Sequence, residues 1–168
     1  MADDALVRRE PVPSDAEALG LMHHRSWVDT YGPLLPDGWF DEHPAQERIA
    51  MWQRVLGLPL PDGARRTAVF DRQGVALAWS MAGPARGHEG VEPVRGEELW
   101  GLYVARGQLG TGLGQELVEW AVGDRPAELW VAEGNDRAIA FYRRNGFALD
   151  GTRAASRGFP LTELRMVR

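Results

Sequence analysis

The fold is decided by the stretch from Glu98 to Phe147, which reads ELWGLYVARGQLGTGLGQELVEWAVGDRPAELWVAEGNDRAIAFYRRNGF. Its hydrophobic pattern predicts a strand over 97–105, a helix after it, a strand over 127–131 and a helix over 135–145. Gly146 follows the second helix directly, as is usual at a helix C-terminus. Strands that alternate with helices are typical of a sheet covered by helices.

A glycine-rich loop joins the first strand to the helix that follows it. The backbone N–H groups at a helix N-terminus lack partners and lie at the positive end of the helix dipole, so such a loop suits a phosphate. A P-loop would require Gly-Lys-Ser/Thr, and a dinucleotide fingerprint would require a glycine where Gln115 stands. The loop therefore predicts a pyrophosphate site made of backbone amides, and taken alone its glycines also fit a tight turn. The loop residues are Leu109, Gly110, Thr111, Gly112, Leu113 and Gly114.

The rest of the chain predicts strands over 6–9, 67–70, 75–81 and 161–167. One helix is expected to begin after a Ser14 cap and to end near Tyr31, and a second to span 44–56. This order predicts an α/β (α+β) fold in one domain over residues 1–168. The expected sheet is mixed and mainly antiparallel, with six or seven strands and helices on both faces. The polar loop over 83–96 is the expected mobile segment.

The composition excludes several kinds of chemistry. The 168 residues include no cysteine, which excludes disulfides, zinc–thiolate sites, iron–sulfur clusters and a cysteine nucleophile. The net charge of −5 argues against a general nucleic-acid binder. Without an apolar leader or a membrane-length apolar run, the chain is expected to be cytoplasmic, with no membrane partner.

The seven tryptophans are expected in two settings. Trp100, Trp120 and Trp130 fall on strands or on an apolar helix face, so we expect them in the core. Trp27 and Trp39 flank a loop-rich region, so we expect them to line a pocket.

Three stretches resemble the GNAT superfamily of acetyl-CoA-dependent N-acetyltransferases. LYVARGQLGTGLG at 102–114 is similar to its acetyl-CoA signature, a strand followed by (Gln/Arg)-x-x-Gly-x-(Gly/Ala). WV at 130–131, NDRA at 135–138 and FYRRNGF at 141–147 resemble its second motif. HRSW at 24–27 and YGPLLP at 31–36 are similar to the opening of many bacterial members. Two departures are that Leu109 stands where glutamine or arginine is usual, and that no proline lies near Ala105.

The resemblance implies a GNAT fold and acetyl transfer from acetyl-CoA to a primary amine of a small molecule, by direct attack in a ternary complex and without a metal. It implies that the amides of the glycine loop, residues 109–114, hold the pyrophosphate and that Asn135 contacts the cofactor near its reactive end. Tyr142 would donate a proton or hydrogen bond to the departing thiolate. The pantetheine arm would lie along the backbone of Leu102, Tyr103 and Val104, beside a splayed pair of parallel strands.

Elementary acid–base chemistry refines two of these roles. A phenol with a pKa of about 10 transfers its proton uphill to a thiolate with a conjugate pKa of about 8.5, so Tyr142 is expected to act mainly as a hydrogen-bond donor. An alkyl amine is neutral in only about one molecule in 2,500 at pH 7, which calls for a general base. Glu98 is the first candidate, because strand alternation predicts it on the face of Trp100 and Leu102.

His24 is the second candidate base, followed by His23 and His88. We expect the acceptor to contact the first helix through His24, Trp27 and Tyr31. Two other functions stay open: a non-catalytic module that senses acyl-CoA, and an acetyltransferase that acts on protein N-termini or lysines. The sequence also leaves open whether the chain forms a homodimer.

Overall fold

A computed structural model describes residues 6–88 and 90–168. They form one mixed sheet of seven strands: β1 (Val7–Arg9), β2 (Arg65–Phe70), β3 (Ala76–Pro84), β4 (Glu97–Val104), β5 (Glu128–Ala132), β6 (Ala148–Ala155) and β7 (Thr162–Val167). Their order in the sheet is β1-β2-β3-β4-β5-β7-β6. Only β4 and β5 are parallel, and the other neighbouring pairs are antiparallel, which confirms the predicted sheet.

Helices cover both faces of the sheet, as predicted. They are α1 (Ala16–Tyr31), α2 (Trp39–Glu42), α3 (Ala45–Gly57), α4 (Leu113–Ala121) and α5 (Asp136–Arg144). Strand alternation explains the division, since Ala68 and Phe70 of β2 pack with α1 and α3 while Val69 between them packs with α4. The helix α5 joins α4 over the half of the sheet that contains β5 and β7. No helix in the described part of the chain has the length and apolar composition needed to cross a membrane.

The start of α1 differs from the prediction. Ser14 lies inside a 3₁₀ turn, Pro13–Asp15, and does not cap the helix. The Asp15 carboxylate instead accepts the Val12 N–H at 2.7 Å and two hydrogen bonds from the Arg9 guanidinium at 2.6 and 2.8 Å. A carboxylate held by a cation satisfies this turn better than a serine hydroxyl could, because charge-assisted hydrogen bonds are the stronger ones.

A β-bulge interrupts β4. Met81 of β3 lies opposite Gly101, and Ala82 lies opposite Leu99. Trp100 is therefore the extra residue of the bulge and has no partner on β3. The bulge reverses the alternation, and Leu99 and Leu102 both pack on the side of α4 and α5. Gly83, the partner of Glu98, faces the Trp100 ring. Glu98 therefore shares a face with Trp100, as predicted, but the prediction that Leu102 shares it is wrong.

The parallel strands β4 and β5 separate soon after they meet. They pair only at Glu98 with Glu128 and at Leu99 with Leu129. From there β4 continues to Val104 and β5 to Ala132 without pairing to each other. The edge of each strand that faces the other is thereby left open to a ligand.

The loop between β3 and β4 is attached to the sheet at both ends. Glu98 accepts the Arg86 N–H at 2.8 Å. The fully buried carboxylate of Glu128 accepts the N–H groups of Val94 and Arg95 at 2.7 and 2.9 Å. The two acidic residues that pair β4 with β5 thus also hold this loop.

The tryptophans of the second half are less buried than expected. Trp120 on α4 is 47% exposed, so its predicted place in the core is wrong. Trp100 and Trp130 are half-buried. The helix α4 buries Leu113, Leu117, Val118 and Ala121, and Trp120 lies outside that stripe.

The contact between α1 and α3 supplies a test of the packing. A Cβ added at Gly20 of α1 would lie 2.5 Å from the Cα of Ile49 in α3, so Gly20→Ala must push the helices apart. We expect this change to lower the free energy of unfolding by about 1–3 kcal/mol. Gly57→Ala is the control, because nothing lies within 4 Å of its added Cβ, and it should leave stability unchanged or slightly higher. Equal denaturant midpoints for the two variants would contradict the packing described.

Candidate active site

The separation of β4 from β5 opens a cleft of about 930 Å³. Its floor is the open part of β4, including Leu102, Tyr103 and Val104. The glycine loop and α5 form one wall, and α1 together with residues 156–159 forms the opposite wall. The cleft thus runs through the sheet and has two differently built sides.

Two of the loop glycines are required by the backbone. Gly110 and Gly112 adopt φ values of +80° and +94°, which L side chains rarely adopt. Gly112 is the N-cap of α4, so the first N–H groups of that helix have no partner in a preceding turn. A backbone of this shape can hold an anion, so it is compatible with the pyrophosphate site that the sequence predicts.

Gly114 is required by packing. A Cβ added there would lie 3.3 Å from two ring carbons of Phe141, so the N-terminus of α4 lies close against α5. Four predicted loop residues line the cleft, namely Leu109, Gly110, Gly112 and Gly114. The other two, Thr111 and Leu113, do not line it.

The side chains of Thr111 and Leu113 have other partners. The Thr111 hydroxyl donates to the Gln108 carbonyl at 2.8 Å, and the Leu113 side chain is buried against β2 and β3. Their contribution to an anion site is therefore limited to their backbone N–H groups. Three arginines that sequence reasoning did not assign also line the cleft: Arg106, Arg137 and Arg144.

Tyr142 lies on α5 and lines the cleft with only 8% of its surface exposed. Its ring packs edge-on against Phe141 and Phe147, with centroids 5.2 and 6.0 Å away. Burial raises the pKa of Tyr142 well above its usual range, and Tyr31 adds to the effect. The hydroxyl therefore keeps its proton and can act as a hydrogen-bond donor.

Asn135 lines the cleft at the start of α5. Its side-chain oxygen accepts the Ala138 N–H at 3.3 Å and caps the helix. This capping bond leaves the amide NH₂ as the group that could reach a ligand.

Aromatic side chains form the wall on the α1 side. Phe159 lies 4.3 Å from Trp27 and 4.9 Å from Tyr31, measured between ring centroids. The Tyr31 and Tyr103 hydroxyl groups are 2.9 Å apart, which joins this wall to the floor. Trp27 and Trp39 thus line pockets as predicted, Trp27 in this cleft and Trp39 in a small neighbouring pocket. Tyr31 lines the cleft as well, and its contact with an acceptor stays a prediction.

The two adjacent histidines of α1 differ in position. His24 does not line the main cleft, because its Nε2 bonds the His43 carbonyl at 3.1 Å and its ring packs on Phe40. His23 lines it and is almost fully buried. Its Nδ1 accepts the Trp52 indole N–H at 3.2 Å, and among the described residues its Nε2 has no partner.

Burial lowers the pKa of His23 well below its usual range, with smaller effects from Arg48 and His24. His23 is therefore a neutral imidazole whose Nε2 carries the hydrogen.

Three carboxylates line the cleft, namely Asp29, Glu98 and Glu163. Asp29 lies 3.7 Å from the guanidinium of Arg106. Glu98 bonds the Arg86 N–H and lies 3.5 Å from the Arg86 guanidinium. Glu163 of β7 lies 3.3 Å from the Nε2 of His88 and accepts the Ser156 hydroxyl at 3.2 Å. Glu163 was missed at the sequence level, since only the fold brings β7 next to the loop that contains His88.

A profile described as the acetyltransferase (GNAT) family matches residues 24–147. This match includes the glycine loop, Asn135 and Tyr142. The chain belongs to the GNAT family. It is therefore an acetyltransferase by family, and the resemblance seen in the sequence is confirmed.

Individual relatives agree with the GNAT assignment. A probable N-acetyltransferase of Mycobacterium tuberculosis is 27% identical over 156 residues, covering 85% of this chain and 80% of its own. PaiA N-acetyltransferase from Thermoplasma acidophilum, solved with coenzyme A, is 16% identical, covers 96% of this chain and 98% of its own, and superposes with a TM-score of 0.63. A GCN5-related N-acetyltransferase from Kribbella flavida is 21% identical, with 99% of each chain covered and a TM-score of 0.63. The two structures show that the fold is shared.

Within residues 6–88 and 90–168, no group of three or more His, Asp or Glu side chains lies close enough to hold a metal ion.

The buried neutral His23 makes stability depend on pH. In the unfolded chain a histidine takes up a proton near pH 6.5, whereas the folded chain resists it, so the unfolded state binds more protons below that pH. The free energy of unfolding should fall as pH drops below about 6.5, by up to about 1.4 kcal/mol per pH unit from this residue. His23→Gln keeps an acceptor for Trp52 and should flatten that slope. Denaturant unfolding between pH 5 and 7 measures it, and equal slopes would contradict the buried neutral state.

Proposed function

We propose that the chain is a single N-acetyltransferase domain that transfers an acetyl group from acetyl-CoA to a primary amine of a small molecule in a ternary complex. The observation that carries this proposal is the cleft between β4 and β5. It has the glycine loop and Tyr142 on one side and the aromatic wall of α1 on the other. Two molecules can therefore meet between the strands from opposite sides of the sheet.

The glycine-loop side fits a phosphate-tailed cofactor. The loop offers backbone N–H groups at the start of α4, and Arg106, Arg137 and Arg144 add positive charge around it. The open edge of β4 at Leu102, Tyr103 and Val104 offers backbone groups for the amides of a pantetheine arm. Asn135 would contact the cofactor through its NH₂ group.

Tyr142 supports the chemistry of the departing group. Acetyl-CoA supplies an acetyl group activated as a thioester when bound. Because burial keeps the Tyr142 phenol protonated, its hydroxyl can donate a hydrogen bond to negative charge that develops on sulfur.

The α1 side fits a small acceptor. A cleft of this volume is typical of small-molecule sites, and its rings from Trp27, Tyr31 and Phe159 provide an apolar wall. Arg48 stacks over the Trp27 ring at 4.3 Å and adds a cation at the rim. We infer that the acceptor places its amine near the carboxylates of the cleft and its apolar part against these rings.

Tyr142→Phe tests catalysis. The loss of one hydrogen-bond donor to the leaving group should lower kcat by about 10²-fold or more, while coenzyme A affinity stays within about twofold. Free thiol release from acetyl-CoA with a panel of amines measures kcat, and titration calorimetry measures affinity. The protein has no cysteine and gives no thiol background. Unchanged turnover would contradict the role of Tyr142, and coenzyme A binding without turnover by the unmodified protein would favour the acyl-CoA-sensing alternative.

Variants in the glycine loop test the cradle. Gly112→Val should abolish acetyl-CoA binding, since it strains a residue at φ +94° and places a side chain beside the free amides. Leu109→Ala should weaken binding only modestly, because Leu109 contributes its backbone. Gly107→Val is the matched control, with nothing within 4 Å of its Cβ and no place in the cleft lining.

Thermal shift is the readout for these loop variants. A ligand at 100 times its dissociation constant adds about 2.7 kcal/mol of stability. That stabilisation should be lost in Gly112→Val and kept in the control. If Leu109→Ala lost more affinity than Gly112→Val, the backbone cradle would be wrong.

A further inference from the structure

Glu163 and His88 form a pair at the junction of three segments of the cleft. Glu163 lies on β7, His88 lies in the loop between β3 and β4, and Ser156 lies in the loop between β6 and β7. The Nε2 of His88 is 3.3 Å from the Glu163 carboxylate, whose other oxygen accepts the Ser156 hydroxyl. The His88 ring also packs against Trp130, with centroids 4.1 Å apart, which fixes its plane.

The partners of Glu163 distinguish it from Glu98. Glu98 is bonded to a backbone N–H and lies beside the permanently charged guanidinium of Arg86, and its side chain is only 7% exposed. Glu163 accepts a hydrogen bond from the Ser156 hydroxyl and lies 3.3 Å from the His88 imidazole, and 23% of its side chain is exposed in the cleft. Glu98 therefore anchors the loop, whereas Glu163 is accessible to a ligand and forms no ion pair with an arginine among the described residues.

The groups facing the pair leave Glu163 basic. Burial raises the pKa of Glu163, and the charge of Glu98 adds to this, while the Ser156 hydrogen bond and Arg157 oppose it. Burial lowers the pKa of His88, as do Arg157 and Arg86, while Glu128 opposes them. At neutral pH His88 is thus an uncharged imidazole beside a carboxylate whose pKa is raised above its usual range.

Glu163 also lies close to the reacting end of the cleft. Burial raises the pKa of Tyr31, and the nearby charge of Glu163 raises it further. Tyr31 in turn bonds Tyr103 on the floor and influences Tyr142 across the cleft. Glu163 faces the α1 side of the sheet, where the acceptor would enter, because the next residue of β7, Leu164, packs on the side of α4 and α5. It lines the same cleft as Tyr142.

We propose that Glu163 accepts the proton of the acceptor's ammonium group and that His88 is the positioning residue that holds its carboxylate. This proposal rests on acetyl transfer as the function. The ammonium gives one proton to Glu163, and the freed lone pair forms the C–N bond to the acetyl carbon. The C–S bond breaks, its electron pair leaves with sulfur as a thiolate, and the second nitrogen proton converts that thiolate to thiol. The proton on Glu163 returns to water.

The pH profile of Glu163→Gln is the decisive measurement. At pH 7 we expect kcat/KM to fall by about 10²-fold, with coenzyme A affinity unchanged. The deficit should shrink steadily towards pH 10, where an alkyl amine is already largely neutral and no base is needed. His88→Gln should show the same trend with a smaller deficit. Glu133→Gln is the matched control, because Glu133 is exposed, pairs with Arg153 and does not line the cleft.

A second readout needs neither cofactor nor activity. The His88 ring is titrated by nuclear magnetic resonance in the protein alone, and Glu163→Gln should lower its pKa because a neighbouring negative charge is removed. Identical His88 titrations would overturn the pair. A Glu163→Gln deficit that is equal at every pH, or absent, would overturn proton acceptance alone. Absence of thiol release from the unmodified protein would overturn acetyl transfer itself. This outcome is distinct from a failure of Glu163 as the proton acceptor, because in that case the unmodified protein would still release thiol.

Discussion

The whole site depends on the early separation of β4 from β5. Two adjacent parallel strands normally satisfy each other's backbone groups along their length, because buried N–H and C=O groups without partners are costly. Here the pairing ends at Leu99 and Leu129, and the bulge at Trp100 bends β4 away. The strand edges beyond that point are held open by helices on both faces, so the fold itself produces a binding edge inside the sheet.

Two acidic side chains stand where β4 and β5 still pair. Glu98 and Glu128 are direct partners across the strands, and like charges so placed would ordinarily repel. Each is instead used to accept backbone N–H groups of the loop between β3 and β4. This arrangement couples the start of the cleft to the loop that carries His88, so the position of His88 depends on the strand pairing.

The regular parts of this structure could be predicted from the sequence because local patterns encode them. Hydrophobic periodicity predicted the strands and helices. The glycines at 110 and 112 indicated a turn with positive φ angles, which other residues rarely adopt. The bulge could not be predicted, because one extra residue changes no hydrophobic pattern. Of the two residues predicted to share a face with Glu98, Trp100 does so and Leu102 does not. The pairing of Glu163 with His88 depends on tertiary structure: the sequence offers His88 only as a candidate base of low rank, and no local signal marks Glu163. Trp120 shows that an apolar residue beside a buried stripe need not be buried itself.

The distribution of tryptophan has an optical consequence. Five of the seven tryptophans, Trp27, Trp52, Trp79, Trp100 and Trp130, line the cleft. Any molecule that enters it displaces water next to several indole rings at once and alters their emission. The protein therefore carries a built-in fluorescent reporter of occupancy, and unlabelled compounds of unknown chemistry can be screened against it directly.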